Sequence, residues 1–214
     1  MAELNTPVTG CELILGGQKS GKSRRAESLA ANWLAGLALN GQRRQATFIA
    51  TAQPWDAEMQ QRIARHQADR AVRVPGMATL EEPLALADAI ARLSAPHHLL
   101  VVDCLTLWLT NLLMPADTRD NGVQGSSREL EENGNQKSHS TPDGIQLFAP
   151  FIASLQAAPG PVVLVGNEIG LGVIPMGAQV RHFVDTLGQL NQAVAANSQR
   201  VVLMVVGLPV CIKK

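Results

Sequence analysis

Short apolar runs recur along the chain, and longer segments with apolar residues at helical spacing separate them. The runs are rich in Val, Ile and Leu and alternate little with polar residues, as strands do when both their faces are buried. They cover residues 11–15, 47–51, 99–103, 162–166 and 201–206. We predict a strand in each run, and their rhythm favours a parallel sheet.

The segments between the runs have the character of helices. They cover residues 21–39, 56–70, 83–93, 105–113, 145–156 and 178–197. In the last segment, five apolar side chains share one helical face, namely Val180, Phe183, Leu187, Leu190 and Val194. Alternating strands and helices predict an α/β fold with a doubly wound, mainly parallel sheet, which binds ligands outside the carboxyl ends of its strands.

One segment, residues 117–143, does not fit this alternation. It is rich in Asn, Gly, Ser, Gln and Glu and has almost no large apolar residues, so it cannot bury enough surface to offset its ordering entropy. We expect a mobile polar insert at the surface between two helices, with a functional lid as the alternative. The length of 214 residues fits a single domain over 1–214.

Charge and composition limit the classes of partner and the cellular locations that the sequence favours. Eighteen acidic and eighteen basic residues give a formal net charge of zero, which disfavours nucleic acid as a partner. The first residues lack the pattern of a secretory signal. Polar residues also interrupt the longest apolar stretch, 99–114, which argues against a membrane span. We therefore expect a cytoplasmic protein.

The three cysteines, Cys11, Cys104 and Cys211, are far apart and lie within apolar runs. An odd number of such residues favours buried, reduced thiols over a disulfide framework or a metal site. No cluster of metal ligands is apparent in the sequence.

One motif carries specific chemistry, and it lies between a predicted strand and a predicted helix. It reads Gly16-Gly17-Gln18-Lys19-Ser20-Gly21-Lys22-Ser23. Glycines in such a P-loop let successive backbone N–H groups point at phosphate oxygens, and the following helix adds its positive end. Lys22 would neutralise the β- and γ-phosphates, and Ser23 would hold Mg²⁺. The alternative, an ordinary glycine turn with a surface lysine, leaves the placement between strand and helix unexplained.

Asp103 ends the third apolar run. An acidic residue at this position commonly completes Mg²⁺ coordination beside a phosphate-binding loop. The alternative is an N-cap for the helix that begins at Leu105. Given the upstream loop, we favour the metal role.

The helical spacing around His66 admits two roles. Met59, Ile63 and His66 share one face, which favours a half-buried structural histidine. Arg62 and Arg70 lie one turn on either side and could hold an anionic phosphate beside a nucleophilic imidazole. Spacing alone leaves both roles open.

Other polar positions carry weaker signals. His97 and His98 precede a predicted strand, and we expect them at the surface, whereas His139 falls in the polar insert and has no expected role. The segment Asn167-Glu168-Ile169-Gly170-Leu171-Gly172 follows the fourth predicted strand at its carboxyl end. It could face the ligand or form a structural turn.

Taken together, the motifs resemble those of the bifunctional adenosylcobinamide kinase / adenosylcobinamide-phosphate guanylyltransferase family of cobalamin biosynthesis. The resemblance spans nearly the whole chain apart from the first ten residues and the polar insert. The matching segments are 16–24, Phe48-Ile49-Ala50-Thr51-Ala52, Glu58-Met59 with Arg62-Ile63 and His66, Thr110-Asn111-Leu112-Leu113, 167–175, Arg181-His182-Phe183 and Leu190-Asn191-Gln192.

This resemblance implies a RecA-like P-loop fold and two reactions. The enzyme would phosphorylate the aminopropanol hydroxyl of adenosylcobinamide with ATP or GTP, and would then pass GMP from GTP through His66 to adenosylcobinamide phosphate. The motifs themselves predict Mg²⁺ at Ser23 and Asp103, and the resemblance implies a homo-oligomer, for which the family suggests a trimer. Implied nucleotide contacts are Gly16, Gly17, Gln18, Lys19, Ser20, Gly21, Lys22, Ser23, Arg24, Ala50, Thr51, Ala52, Gln67, Ala68, Asp69, Arg70, Glu81 and Asp103.

Three positions depart from the family pattern. Asp103 stands where Glu is expected, Arg65 where a second histidine is expected, and Gly166 where Thr is common. None of these departures removes a group that the chemistry requires.

Two rival functions remain open from the sequence. One is a P-loop small-molecule kinase with a structural His66, which would carry no covalent nucleotide. The other is a GTP-dependent switch or assembly protein, which the absence of a guanine-reading N/T-K-x-D tetrapeptide disfavours.

Overall fold

A computed structural model describes residues 8–54, 57–114 and 144–214. The polar insert predicted at 117–143, with His139, lies outside these ranges. Within them, seven strands form one sheet in the order β3-β2-β4-β5-β1-β6-β7. The strands are β1 (Cys11–Gly16), β2 (Gln45–Ala50), β3 (Ala78–Glu81), β4 (His98–Asp103), β5 (Val162–Val165), β6 (Arg200–Val205) and β7 (Leu208–Lys213). All neighbouring pairs are parallel except β6 and β7.

Six helices connect the strands of the described ranges. They are α1 (Lys22–Leu34), α2 (Ala57–Arg73), α3 (Leu86–Leu93), α4 (Leu105–Leu113), α5 (Gly144–Ala157) and α6 (Ala178–Asn197). None of these helices is long and apolar enough to cross a membrane.

Both faces of the sheet are covered, because successive side chains of a strand point to opposite sides. On one face, Ile14, Val101 and Val165 pack with Ala26 and Leu29 of α1. On the other face, residues such as Leu13, Val102 and Leu164 pack with α3, α4, α5 and α6. This two-sided burial explains why the central strands are almost continuously apolar, and it confirms the predicted doubly wound α/β fold.

All five predicted strands and all six predicted helices are present, with both ends correct for α4 and α6 and one or both ends shifted in the others. Helix α1 ends at Leu34 rather than at residue 39, and α3 begins at Leu86 rather than at 83. The shared apolar face predicted for α6 is wrong at Val180, which is 51% exposed. The helix reaches past the edge of the core at its amino end.

Histidine and cysteine environments also differ in part from expectation. His98 is half-buried rather than at the surface, and its Nε2 lies 2.8 Å from the hydroxyl of Thr47. All three cysteines are free thiols, as predicted, but Cys211 is only partly buried. It lies on the edge strand β7, where one face has no covering layer.

Strands β3 and β7 were not predicted from the sequence. Strand β3 has only four residues, and none of them is buried. Strand β7 contains Pro209 and is largely exposed, and proline within a run argues against a central strand. It pairs with β6 through a tight turn in which Val206 and Gly207 both have positive φ, 47° and 84°, as hairpin turns of type I′ require.

Just past β5, Gly166 lies beside a buried hydrogen-bond acceptor, the side-chain oxygen of Asn191, which has no partner among the described residues. Asn191 of α6 donates its amide to the carbonyl oxygen of Asn167 at 3.2 Å, but its Oδ1 has no hydrogen-bond partner among the described residues. A Cβ on Gly166 would lie 3.3 Å from that oxygen and 3.1 Å from the end of the Leu15 side chain. A hydroxyl at position 166 could therefore donate to Asn191.

We expect Gly166→Ser to be more stable than Gly166→Ala by about 1 kcal/mol, the usual net contribution of one such hydrogen bond. The two side chains meet the same neighbours and differ only in the hydroxyl. Urea unfolding of both variants measures the difference, which should disappear in an Asn191→Ala background. An alanine variant as stable as the serine variant would contradict the assignment.

Candidate active site

The loop after β1 adopts a backbone that only particular residues can follow. Gly16 has φ 152°, and a Cβ there would lie 2.6 Å from the Ser20 hydroxyl and 2.7 Å from the carbonyl oxygen of Met204. Gly21 has φ 97°, and Lys19 adopts a left-handed φ of 57°, which is uncommon for a residue with a side chain. The loop is thus tightly folded around its own backbone.

Neighbouring strands hold this loop from both sides. The N–H of Gly207, in the β6–β7 turn, donates to the carbonyl oxygen of Ser20 at 3.2 Å. On the other side, the N–H of Glu168 donates to the carbonyl oxygen of Gly16 at 3.1 Å. The sheet therefore fixes the loop before any ligand arrives.

The amino end of α1 is open to an anion. Its N-cap is Gly21, which provides no side-chain cap, and its first turn has no acidic residue. The first N–H groups of a helix have no partner within the helix, and they favour phosphate together with the positive end of the helix dipole.

Lys22 lies within this loop and is only 8% exposed. Its Nζ donates to the carbonyl oxygen of Gly17 at 2.7 Å, so the ammonium group lies against the backbone of the loop. Burial lowers the pKa of Lys22, and the charge of Asp103 opposes that shift.

Asp103 ends β4, level with Ala50 of β2 and Val165 of β5. Burial raises the pKa of its carboxyl group, while a hydrogen bond with Ser23 and the charges of Lys22, Arg70 and His66 lower it. The two residues predicted to hold Mg²⁺, Ser23 and Asp103, therefore lie together. Asp103 is not the N-cap of α4, which is Cys104.

A buried polar network fixes the backbone beside Asp103. The peptide bond from Asp103 to Cys104 is cis. The Thr51 hydroxyl accepts from the N–H of Cys104 and donates to its carbonyl oxygen, both at 2.8 Å. Asn111 of α4 donates to the carbonyl oxygens of Thr51 at 2.8 Å and of Pro83 at 3.1 Å. Thr51 is fully buried, so its side chain supports the backbone at Cys104, and the expected nucleotide contact at Thr51 stays a prediction.

Helix α2 presents His66 to solvent. The half-buried structural alternative is therefore wrong. Arg70, one turn further along α2, is only 6% exposed, and its contact with an anionic phosphate stays a prediction. Its guanidinium stacks 3.6 Å from the Phe48 ring centroid and donates to the Thr79 hydroxyl at 3.3 Å. One turn of helix thus separates an exposed imidazole from a buried cation.

The remaining expected nucleotide contacts lie on α2 and at or just beyond the ends of β2 and β3. Gln67 of α2 donates to the carboxylate of Glu81 at 3.0 Å, so these two residues lie together at the end of β3. Ala68 and Asp69 are exposed on α2, and Ala50 and Ala52 flank the buried Thr51. Strands β4 and β5 separate β2 from β1, which places the end of β2 about 14 Å from β1 at about 4.8 Å per strand.

Sequence reasoning missed the supporting polar residues Asn111, Thr106 and Asn191. Asn111 and Asn191 are buried, and the Thr106 hydroxyl accepts from the N–H of Asn167 at 2.9 Å. Their signal was available, since a polar side chain inside an apolar helix must find a hydrogen-bond partner when buried.

Comparison with known proteins matches residues 12–212 to the family described as cobinamide kinase / cobinamide phosphate guanyltransferase. The bifunctional adenosylcobalamin biosynthesis protein CobP of Pseudomonas aeruginosa is 43% identical over 94% of this chain and 96% of its own. The bifunctional adenosylcobalamin biosynthesis protein CobU of Salmonella typhimurium is 35% identical over 94% of this chain and 98% of its own. Such similarity over nearly full length establishes family membership.

Among solved structures, a RadB recombinase aligns with 92% of this chain and 74% of its own, at a TM-score of 0.45 and 11% identity. This likeness is distant, and the fold assignment rests on the strand order and the phosphate-binding loop.

We expect Thr51→Val to destabilise the protein by about 1–3 kcal/mol, because it leaves the N–H of Cys104 buried without its partner. The carbonyl oxygen of Cys104 still accepts from the N–H of Trp108 at 3.1 Å. Thr51→Ser keeps the hydroxyl and should lose less than half as much. Unfolding free energies from urea titration measure both changes. Equal losses would show that the methyl group of Thr51, rather than its hydroxyl, stabilises this edge of the sheet.

Proposed function

The chain belongs to the cobinamide kinase / cobinamide phosphate guanyltransferase family, and on that basis we propose that Lys22 serves both reactions whereas His66 carries the guanylyl group in the second. The enzyme is bifunctional, as its relatives' names state. The observation that carries the division of roles is the exposure of His66 on α2, in contrast to the buried side chain of Lys22.

In the first reaction, the aminopropanol hydroxyl of adenosylcobinamide attacks the γ-phosphorus of ATP or GTP. The bond from that phosphorus to the β,γ-bridging oxygen breaks, and the nucleoside diphosphate leaves. Catalysis of such a transfer consists largely of positioning and electrostatic stabilisation. The uncapped amino end of α1 and the Lys22 ammonium supply both to the phosphates.

The residues at the end of β4 fit a magnesium ion. A serine hydroxyl and an aspartate carboxylate are hard oxygen ligands, which Mg²⁺ prefers together with phosphate oxygens. Ser23 and Asp103 are hydrogen-bonded to each other, so both face one point beside the loop. When bound there, Mg²⁺ would neutralise charge on the β- and γ-phosphates.

In the second reaction, a ring nitrogen of His66 attacks the α-phosphorus of GTP and displaces pyrophosphate. A phosphate oxygen of adenosylcobinamide phosphate then attacks the same phosphorus, which releases the imidazole and forms adenosylcobinamide-GDP. A nucleophilic side chain splits a difficult displacement into two easier ones. The exposure of His66 supports this role, because both attacking and departing groups must reach it.

We place both reactions in the cytoplasm, where the nucleoside triphosphates are available. By analogy with the family, we also propose that the chain assembles as a homo-oligomer, with a trimer as the first arrangement to test.

Lys22→Ala should reduce both activities to below about a tenth of wild type, since loss of one charged contact to the transferring phosphates typically costs several kcal/mol. Turnover of adenosylcobinamide and of its phosphate measures the two losses, with circular dichroism as a check of folding. Arg92→Ala, which removes an exposed cation from α3, is the matched control and should stay near wild type. Full activity of the Lys22 variant would refute the assigned role of the loop.

His66→Ala should abolish guanylyl transfer while leaving phosphorylation of adenosylcobinamide within about tenfold, or 1.4 kcal/mol. GTP labelled at the α-phosphate should label the wild-type protein, whereas γ-labelled GTP should not. The bond should be acid-labile and base-stable, as phosphoramidates are.

His182→Ala provides the control, since it removes another exposed histidine from a helix, and it should retain both the label and the two activities. Undiminished α-label on the His66 variant would identify another nucleophile. Equal loss of both activities in a folded His66 variant would mean that this residue organises a shared nucleotide site.

A further inference from the structure

The residues that follow β5 lie between the phosphate-binding loop, which follows β1, and Asp103, which ends β4. Strand β5 separates β1 from β4, and Val165 is level with both Ile14 and Asp103. The chain continues to follow β1 beyond the strand. The N–H of Gly166 donates to Ile14 at 3.0 Å, and that of Glu168 donates to Gly16 at 3.1 Å. Asn167 is therefore placed beside the start of the phosphate-binding loop, just beyond the end of the strand next to the one that carries Asp103.

Two helices fix the backbone of Asn167. Its N–H donates to the hydroxyl of Thr106 in the first turn of α4 at 2.9 Å. Its carbonyl oxygen accepts from the buried amide of Asn191 in α6 at 3.2 Å. Both backbone groups are thus held by side chains from the α3–α6 side of the sheet.

The alternation of side chains places the Asn167 amide on the opposite side. Val163 and Val165 pack on the face covered by α1, whereas Leu164 packs on the other face. Gly166 continues the pattern, since a Cβ there would meet Leu15 and Asn191. Asn167, one residue further, falls on the face of α1, which begins with Lys22.

The Asn167 side chain is half-buried and has no hydrogen-bond partner among residues 8–54, 57–114 and 144–214. The turn that follows does not need it, because the Glu168 carboxylate already accepts from the N–H of Gly170 at 2.7 Å. A primary amide offers two donors and one acceptor without a net charge. Those donors match phosphate oxygens, and the acceptor matches an attacking hydroxyl.

We propose that Asn167 is a catalytic residue of the phosphoryl transfer, donating its amide N–H to the γ-phosphoryl group between the loop and Asp103. This inference rests on the proposed function. Charge on the transferring phosphoryl oxygens is shared among the groups around them, and a donor fixed in advance stabilises it without reorganisation. Thr106 is a positioning residue, because it acts through the backbone of Asn167.

The test uses the full chain with adenosylcobinamide and ATP. We expect Asn167→Ala to lower kcat for phosphorylation by about 10²-fold, as loss of one fixed donor typically does, with KM for ATP changed by less than about threefold. Asn167→Asp should lose at least as much, because it replaces donors by a negative charge. Asn167→Ala should also lower the labelling of His66 by α-labelled GTP, but by a factor at least about ten times smaller than its effect on phosphorylation. Labelling is less affected because it involves a different phosphorus atom.

Thr106→Val should lower kcat in the same direction by about tenfold, and Thr106→Ser, which keeps the acceptor, should restore it. Asn32→Ala removes an exposed asparagine from α1 and is the matched control, expected at wild-type rates. A kcat within about threefold of wild type for Asn167→Ala would overturn the inference while leaving the proposed function intact. Equal loss of phosphorylation and His66 labelling would also overturn it. A wild-type chain that cannot phosphorylate adenosylcobinamide would overturn both.

Discussion

The Lys22 ammonium and the Asp103 carboxyl group lie close enough at this edge of the sheet for each charge to act on the other. Each group is desolvated, which lowers the pKa of the ammonium and raises that of the carboxyl, and each opposes the shift of the other. A buried charge without a partner is strongly destabilising. The loop, the Ser23 hydroxyl and the clamp between Thr51 and Cys104 therefore have to be arranged together. A ligand that carries phosphates and a cation would bind where these two opposite charges are already desolvated.

The phosphate-binding loop and helix α2 belong to different parts of the sheet. The phosphate-binding loop follows β1, whereas helix α2 crosses from β2 to β3 at the other side of β4. Glu27 of α1 pairs with Arg73 at the end of α2, at 3.2 Å, and Arg70 stacks on Phe48 of β2. These contacts anchor the carboxyl half of α2 to the body of the protein. His66 is thereby carried on a helix that is anchored to α1 and β2.

The sequence predicted the buried parts of the fold well and the exposed parts poorly, for physical reasons. Strands such as β4 are covered on both faces, so their composition alone identifies them, and α4 was predicted with both ends correct. Strand β3 is short and exposed and has no such signature. At the site, the loop residues were predictable because their backbone permits few alternatives. The inward turn of Arg70 and the clamp by Thr51 were not, because their partners, Phe48 and Cys104, are distant in sequence.

The position of β1 between β5 and β6 sets an order of events during synthesis. The strand that leads into the phosphate-binding loop emerges early, yet both of its neighbours, and the turn at Gly207 that holds the loop, belong to the last quarter of the chain. Pairings that span most of a chain carry a large loop-closure cost and form late. A nascent chain on the ribosome therefore exposes the residues of the loop long before it can bind nucleotide. Nucleotide binding therefore becomes possible only after the strands that hold the loop have been translated.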